Sequence, residues 1–160
     1  MLVSCEFRKV EFVSKFKWSN IPIPEGHVIT LIVGMALHVW EPLFIAQTIS
    51  LIHLFGGTLF LAGILLAGWA VMTVKAIDVA KPTMIIVTGP YAFSRNPMYV
   101  AWTLIYLAIS LLVNTRWLIM LLPGPLLITH FYDIQREERQ LEQTFGEAYR
   151  QYRARVRRYL

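Results

Sequence analysis

Two polar stretches interrupt an otherwise apolar chain, and both carry residue types suited to gripping a small charged ligand. The first, 87–99, reads Val-Thr-Gly-Pro-Tyr-Ala-Phe-Ser-Arg-Asn-Pro-Met-Tyr. Gly89-Pro90 marks a turn, and Asn96-Pro97 marks a helix start with proline at its first position. Asn96 is then the expected N-cap of the following helix. A helix start offers free N–H groups to an anion. Arg95 adds a fork of donors beside it, and Tyr91 and Tyr99 supply flat faces. Together these suit a carboxylate and an adenine ring. A snorkelling arginine among interfacial tyrosines accounts for the same residues, and the residues alone leave both readings open.

The second stretch, 133–149, reads Asp-Ile-Gln-Arg-Glu-Glu-Arg-Gln-Leu-Glu-Gln-Thr-Phe-Gly-Glu-Ala-Tyr. Helical spacing puts Glu138, Leu141 and Phe145 on one face, and Gly146 is the expected helix end. Glu137 and Glu138 fall where the helix leaves an apolar run. Ionisable groups near a bilayer interior are costly and tend to be functional. A carboxylate there suits a ligand's ammonium or ribose hydroxyls. Salt bridges to Arg95 or Arg136 are the plainer alternative. Beyond Gly146 a basic helix follows, with Tyr149, Tyr152 and Val156 apolar and arginines suited to anionic headgroups.

These stretches need a scaffold, and composition says of what kind. The chain has 160 residues, 56% hydrophobic and 16% charged, with a mean hydropathy of +0.53. A soluble domain is about 25% charged, so a bilayer is the solvent that fits. The single cysteine, Cys5, excludes an internal disulfide and a cysteine-based zinc site. The histidines His27, His38, His53 and His130 show no metal-ligand spacing. The net charge of +5 sits between and beyond apolar runs, which is the pattern of membrane topology and not of a nucleic-acid face. No cleavable signal peptide is evident.

An all-α, polytopic helical bundle is expected, as one domain: a basic interfacial arm over 1–20, a transmembrane core over 21–132 and a cytoplasmic tail over 133–160. Four spans are read at 21–40, 49–74, 98–113 and 117–132, where a crossing needs about 20 mostly apolar residues and the third and fourth are short. The last two form a tight hairpin through Asn114, Thr115 and Arg116. Of the 15 Lys and Arg residues, all but Arg116 fall on one side of this arrangement. The positive-inside rule therefore places both termini in the cytoplasm. Gly56, Gly57, Gly63 and Gly68 in the second span suit close helix packing. Pro123, Gly124 and Pro125 should kink or break the fourth.

The two polar stretches resemble, in order and spacing, the integral membrane methyltransferases that include isoprenylcysteine carboxyl methyltransferase and phospholipid N-methyltransferases. The resemblance is carried by Gly89-Pro90-Tyr91, Arg95-Asn96-Pro97-Met98-Tyr99 and Glu137-Glu138. It continues through Leu141-Glu142, Phe145-Gly146, Tyr149, Tyr152, Val156 and Arg158. It covers nearly half the chain, and the first half is similar only as generic membrane helices. It implies that S-adenosylmethionine binds on the cytoplasmic side, against Ile86, Val87, Tyr91, Asn96, Pro97, Met98, Tyr99 and Glu138. It also implies a lipid-like or apolar acceptor entering from the bilayer between helices. Two departures stand out. The family's usual histidine is Asn96, which can cap and donate but not titrate. The arginine that the prenylcysteine branch carries before the second glutamate is replaced around Asp133 and Ile134, which disfavours a prenylcysteine carboxylate.

The expected activity is S-adenosylmethionine-dependent methylation of carboxyl oxygen or nitrogen, with S-adenosylhomocysteine as product. Arg95, Glu137 and Glu138 are the candidate catalytic residues, Glu137 as base where the acceptor must lose a proton. A bacterial inner membrane is the expected location. A non-enzymatic lipid- or partner-binding protein on this scaffold is one alternative. A membrane reductase of related fold is another, although no Gly-rich phosphate loop is present.

Overall fold

The computed structural model describes residues 24–46, 49–74 and 83–159. The basic arm over 1–20 lies outside the described residues, as do Lys75 and Lys81. Within them every regular element is helical. α1 is Glu25–Trp40, α2 Ile49–Val74, α3 Pro97–Leu112, α4 Arg116–Leu121, α5 Pro123–Ile128, α6 Ile134–Phe145 and α7 Glu147–Arg155. A single 3-10 turn occupies Gly89–Ala92, and a π turn at Thr129–Asp133 joins α5 to α6.

The helices form where the apolar runs are, and their lengths decide what they can cross. α2, of 26 residues, is about 39 Å long at 1.5 Å per residue, beyond the roughly 30 Å of a hydrocarbon core. The run Arg116–Phe145, which includes the α4–α5 break and the π turn, is also long and apolar enough to cross. α1 and α3 are apolar but have 16 residues each, about 24 Å. Among the described residues, then, two helices meet the length requirement, where the sequence pattern suggested four spans. Leu51, Leu54, Phe55, Leu61, Leu65 and Met72 of α2 and Phe131 beyond α5 are all well exposed. An apolar surface of that extent needs lipid around it.

Packing follows the small residues. A Cβ on Gly63 would come within 2.7 Å of the Ile105 side chain and 3.1 Å of the Ala101 carbonyl oxygen. One on Gly56 would meet Leu111 and Leu112 at 3.0–3.2 Å. These two glycines let α2 lie close along α3, while Gly57 and Gly68 face open space. Gly34 plays the same part between α1 and Leu118 of α4. The buried core between α1, α3 and α4 gathers Tyr106, Leu118 and Leu122, with Leu31, Met35, Leu107 and Ile109 around it.

The Pro123-Gly124-Pro125 break falls where expected, since α4 ends at Leu121 and α5 starts at Pro123. Gly146, at φ 53°, ends α6 and turns the chain into α7. At the other end of the bundle the 41–46 loop is tied to the α3–α4 corner. Asn114, itself at φ 57°, accepts from the backbone N–H groups of Ile45 and Ala46, each at 3.1 Å. Its amide nitrogen donates to the Ala46 carbonyl at 2.9 Å. Arg116 N–H donates to Leu43 at 2.8 Å, and Trp117 Nε1 to Glu41 at 2.8 Å.

Candidate active site

The start of α3, the length of α6 and the C-terminal segment converge at one end of the bundle. The Gly89–Ala92 turn forms because Gly89, at φ 59°, takes a left-handed conformation and packs against Trp69 and Thr73 at the end of α2. Its Tyr91 carbonyl accepts from the Tyr152 hydroxyl of α7 at 2.8 Å. Burial, and then the nearby Glu137 charge, push the Tyr91 hydroxyl up to about 12. Tyr91 and Tyr152 are therefore neutral donors or acceptors at any ordinary pH.

Next in the chain, Ser94 to Asn96 pair with the C-terminal strand-like segment. Arg95 N–H donates to the Arg157 carbonyl at 2.9 Å. Asn96 Nδ2 donates to the Arg158 carbonyl at 3.0 Å, and the Ser94 hydroxyl reaches the same oxygen at 3.4 Å. Asn96 is the N-cap residue of α3, as expected from Asn96-Pro97, although its side chain makes no capping bond. The amide is spent on fixing the tail instead, while Ser94 Oγ accepts the Asn96 N–H at 3.2 Å.

That pairing brings three charges together. Arg95 Nη1 lies 2.8 Å from Glu138 Oε1, and Arg158 Nη2 lies 2.7 Å from Glu138 Oε2. Arg158 Nε also donates to Oε1 at 3.1 Å. The side chains of Arg95 and Glu138 are 11% and 10% exposed. One carboxylate thus faces two guanidiniums in a poorly solvated place. The cluster keeps an excess charge of +1; Arg95 also shares a side-chain hydrogen bond with Tyr149, and its buried Nε meets no acceptor. Burying a charge with a donor unpaired costs free energy that an added anion would offset. Arg158 is fixed from its other side by His130, whose Nε2 accepts from Nη1 at 3.4 Å. His130 Nδ1 lies 2.7 Å from the Tyr159 hydroxyl.

Glu137, next in the helix, points elsewhere. It is exposed, and its Oε1 accepts from the Tyr99 hydroxyl at 2.9 Å. Asp133 is near enough to act electrostatically on both Tyr99 and Glu137. The end of the bundle therefore has a cationic pocket, Arg95–Glu138–Arg158, beside an anionic one, Glu137 with Asp133. A cavity of about 200 Å³, lined by Gln135, Glu138, Arg139, Glu142, Arg153 and Arg158, opens next to the cationic cluster.

The structure brings Tyr91, Arg95, Asn96, Tyr99, Glu137 and Glu138 to one region. Pro97 and Met98 are buried as packing, and Ile86 is half-buried and Val87 exposed at its edge. Glu138 holds two arginines, so its two oxygens are already committed. Arg158, Ser94 and Tyr152 were not among the expected site residues, although Tyr152 and Arg158 stood in the motif. A motif arginine near the chain end, opposite a paired glutamate, was the available signal. Ser94 had none.

A family model described as phospholipid methyltransferase matches residues 29–148. No curated protein and no solved structure matches the chain.

Proposed function

The chain belongs to the phospholipid methyltransferase family, and from that premise we propose that it methylates a lipid-like acceptor with S-adenosylmethionine as donor. One observation supports this most: Glu138, buried with Arg95 and met from its more open side by Arg158, leaves surplus positive charge next to an exposed carboxylate, Glu137, held by Tyr99. S-adenosylmethionine carries an α-carboxylate, an ammonium and a sulfonium. Arg95 and Arg158 suit the carboxylate, since a guanidinium fork matches its two oxygens. The unpaired Arg95 Nε is the donor left for it. Glu138 holds both forks in place. Tyr91 and Tyr99 offer aromatic faces to a cation.

The bound donor supplies a methyl group on a sulfonium, which the acceptor's nucleophile displaces in line. The protein's task is to align the two and exclude water. Glu137 is the group placed to take a proton from an acceptor that must lose one. The acidic pair Asp133 and Glu137 suits an amine-bearing acceptor and opposes a carboxylate, so nitrogen methylation is the favoured form. The proposed topology has both termini on the cytoplasmic face of a bacterial inner membrane. α1 and α3 would complete four crossings beside α2 and the α4–α6 run. The acceptor would come laterally from the bilayer.

Calorimetry on the purified chain in detergent tests this. S-adenosylhomocysteine should bind and NADPH should not, which separates a methyltransferase from a reductase. Arg95→Ala and Arg158→Ala should each weaken the affinity roughly 10- to 100-fold, the worth of a hydrogen bond to a charged group. Unchanged affinity in both variants refutes the assignment. A screen of membrane lipid extract with radiolabelled methyl donor then identifies the acceptor.

A further inference from the structure

His130 sits half-buried in the π turn that joins α5 to α6, and both of its ring nitrogens face the C-terminal segment. Nδ1 lies 2.7 Å from the Tyr159 hydroxyl, and Nε2 lies 3.4 Å from Arg158 Nη1. The Tyr159 ring stands beside it, centroids 5.9 Å apart and planes at 31°, and Phe131 meets it edge to face at 4.7 Å. Eight positions separate His130 from Glu138, which in an unbroken α-helix is about 80° around the axis. The π turn, closed by Ile134 N–H donating to the Thr129 carbonyl, wraps an extra residue and takes back about 100°. The two side chains then share a face to within about 20°, and both reach Arg158 from one continuous run of helix.

These contacts settle where the ring carries its proton. A guanidinium only donates, so Nε2 presents its lone pair to Arg158. A neutral imidazole then has its proton on Nδ1, which donates to the Tyr159 oxygen. A doubly protonated ring would turn an N–H toward a guanidinium in a cluster that already has surplus positive charge. What the lone pair gives Arg158 is a third fixed corner. Glu138 holds the Nε–Nη2 edge through two bonds, at 3.1 and 2.7 Å, and a planar group held along one edge can still swing about it. His130 takes Nη1, off that edge. Fastening the tail needs no such bond, since Tyr159 and the bond from Asn96 to the Arg158 carbonyl already reach that segment.

We propose that His130 is a positioning residue of the methyl-donor site: as a neutral imidazole it steadies the Arg158 guanidinium, so that the N–H groups left free by Glu138 meet the donor's carboxylate already ordered. The proposal rests on Arg158 holding that carboxylate, as described above. Ordering a long side chain before the ligand arrives removes part of the cost of binding. His130 acts through Arg158 and not by touching the donor. Its effect therefore vanishes once Arg158 is gone, and a side chain that puts an acceptor at the place of Nε2 keeps it. The amide oxygen of glutamine is such an acceptor, and leucine has none.

Calorimetry with S-adenosylhomocysteine on the full chain in detergent reads this as a double-mutant cycle. His130→Leu should weaken binding about fivefold, the worth of one net hydrogen bond, and His130→Gln should restore most of it. In an Arg158→Ala chain, His130→Leu should change nothing further. Tyr159→Phe removes only a hydroxyl and frees the ring to turn. It should lower affinity in the same way but less, and it reports even where His130→Leu does not fold. Unchanged affinity in these variants, a loss that persists in the Arg158→Ala background, or glutamine no better than leucine overturns the proposal. Nitrogen NMR of the histidine-labelled chain without ligand, with the signal assigned by its loss in His130→Gln, reads the ring itself. His130 should show a protonated Nδ1 and a bare Nε2, and a bare Nδ1 overturns the proposal on its own. Failure of S-adenosylhomocysteine to bind the wild type sinks the methyltransferase reading instead, while the ring spectrum still tests the bond between His130 and Arg158.

Discussion

The two ends of the bundle are each closed by chain folded across helix termini, but with different chemistry. At one end Asn114 spends its whole amide on the 41–46 loop, through three bonds at 2.9–3.1 Å. That closure is made by a neutral amide, although among the described residues the Thr115 hydroxyl and His38 Nδ1, the latter packed on Phe44 of the loop, have no partner, and the Arg116 guanidinium reaches only the Ile45 carbonyl, at 3.4 Å. At the other end Arg95, Glu138 and Arg158 meet with unequal charge, and Arg95 keeps a buried donor unpaired. Both ends keep buried polar atoms unpaired, so what separates them is charge. Surplus positive charge is something an anionic ligand can use, and a neutral amide offers none.

The comparison breaks most readily at Glu138. Glu138→Ala leaves the buried Arg95 guanidinium without its carboxylate, facing the part-exposed Arg158, and breaking a fully buried pair costs about 3–5 kcal/mol, less here because water screens Arg158. Thermal melting in detergent should fall accordingly, and S-adenosylhomocysteine binding should be lost. Glu138→Gln keeps the shape and removes the charge, so it should melt closer to the wild type and still bind poorly. If it binds as the wild type does, the cationic end is only a structural joint like the other.

Asn114 gives the converse. Asn114→Ala removes three hydrogen bonds and places alanine at φ 57°, with a stability loss of about 1–3 kcal/mol. The affinity for S-adenosylhomocysteine should not change. A parallel loss of affinity would mean that the two ends are coupled through α3 and that the distinction drawn here is false.

Much of this was legible in the sequence, for physical reasons. α2 coincides with the apolar run 49–74, because that run carries no charge that could end it early. Gly146 as the end of α6 and the break at Pro123 follow from backbone rules that hold in any surroundings. The convergence of Arg95 and Glu138 was anticipated only as one alternative for the glutamates, and the resemblance brought the two stretches together. What pattern could not show was long-range. Asn96 matched a capping position, but its amide found the Arg158 carbonyl, 62 residues away. Local rules rank only local partners. α3, Pro97–Leu112, has the 16 residues read for the third span, one position earlier, and α1 reaches the expected end at Trp40, its expected start at 21 lying outside the described residues.

The finest test compares Glu138 with a second glutamate that meets two arginines, in a cluster that Glu147, 3.6 Å from Arg150, brings to zero net charge. Glu142 on α6 meets Arg150 at 2.8 Å and Arg153 at 3.2 Å on α7, a glutamate between two arginines like Glu138. It differs in solvent as well: the arginines of this outer cluster are 60% and 48% exposed. Water and salt screen such pairs, so the outer cluster should fasten α7 to α6 weakly. Its hydrogen bond from Arg150, and then the charges of both arginines, hold the Glu142 carboxyl below the usual glutamate range. A depressed value means that the contribution is fully present above the ordinary glutamate pKa and is lost as pH falls through the depressed one. An NMR titration of Glu142 should show a midpoint below that of a free glutamate, returning toward it in Arg150→Ala and in 1 M salt. S-adenosylhomocysteine affinity at neutral pH should be indifferent to Arg150→Ala. If affinity drops there as it does in Arg158→Ala, then the arrangement of charges around a glutamate decides ligand binding, and neither its burial nor the net charge does.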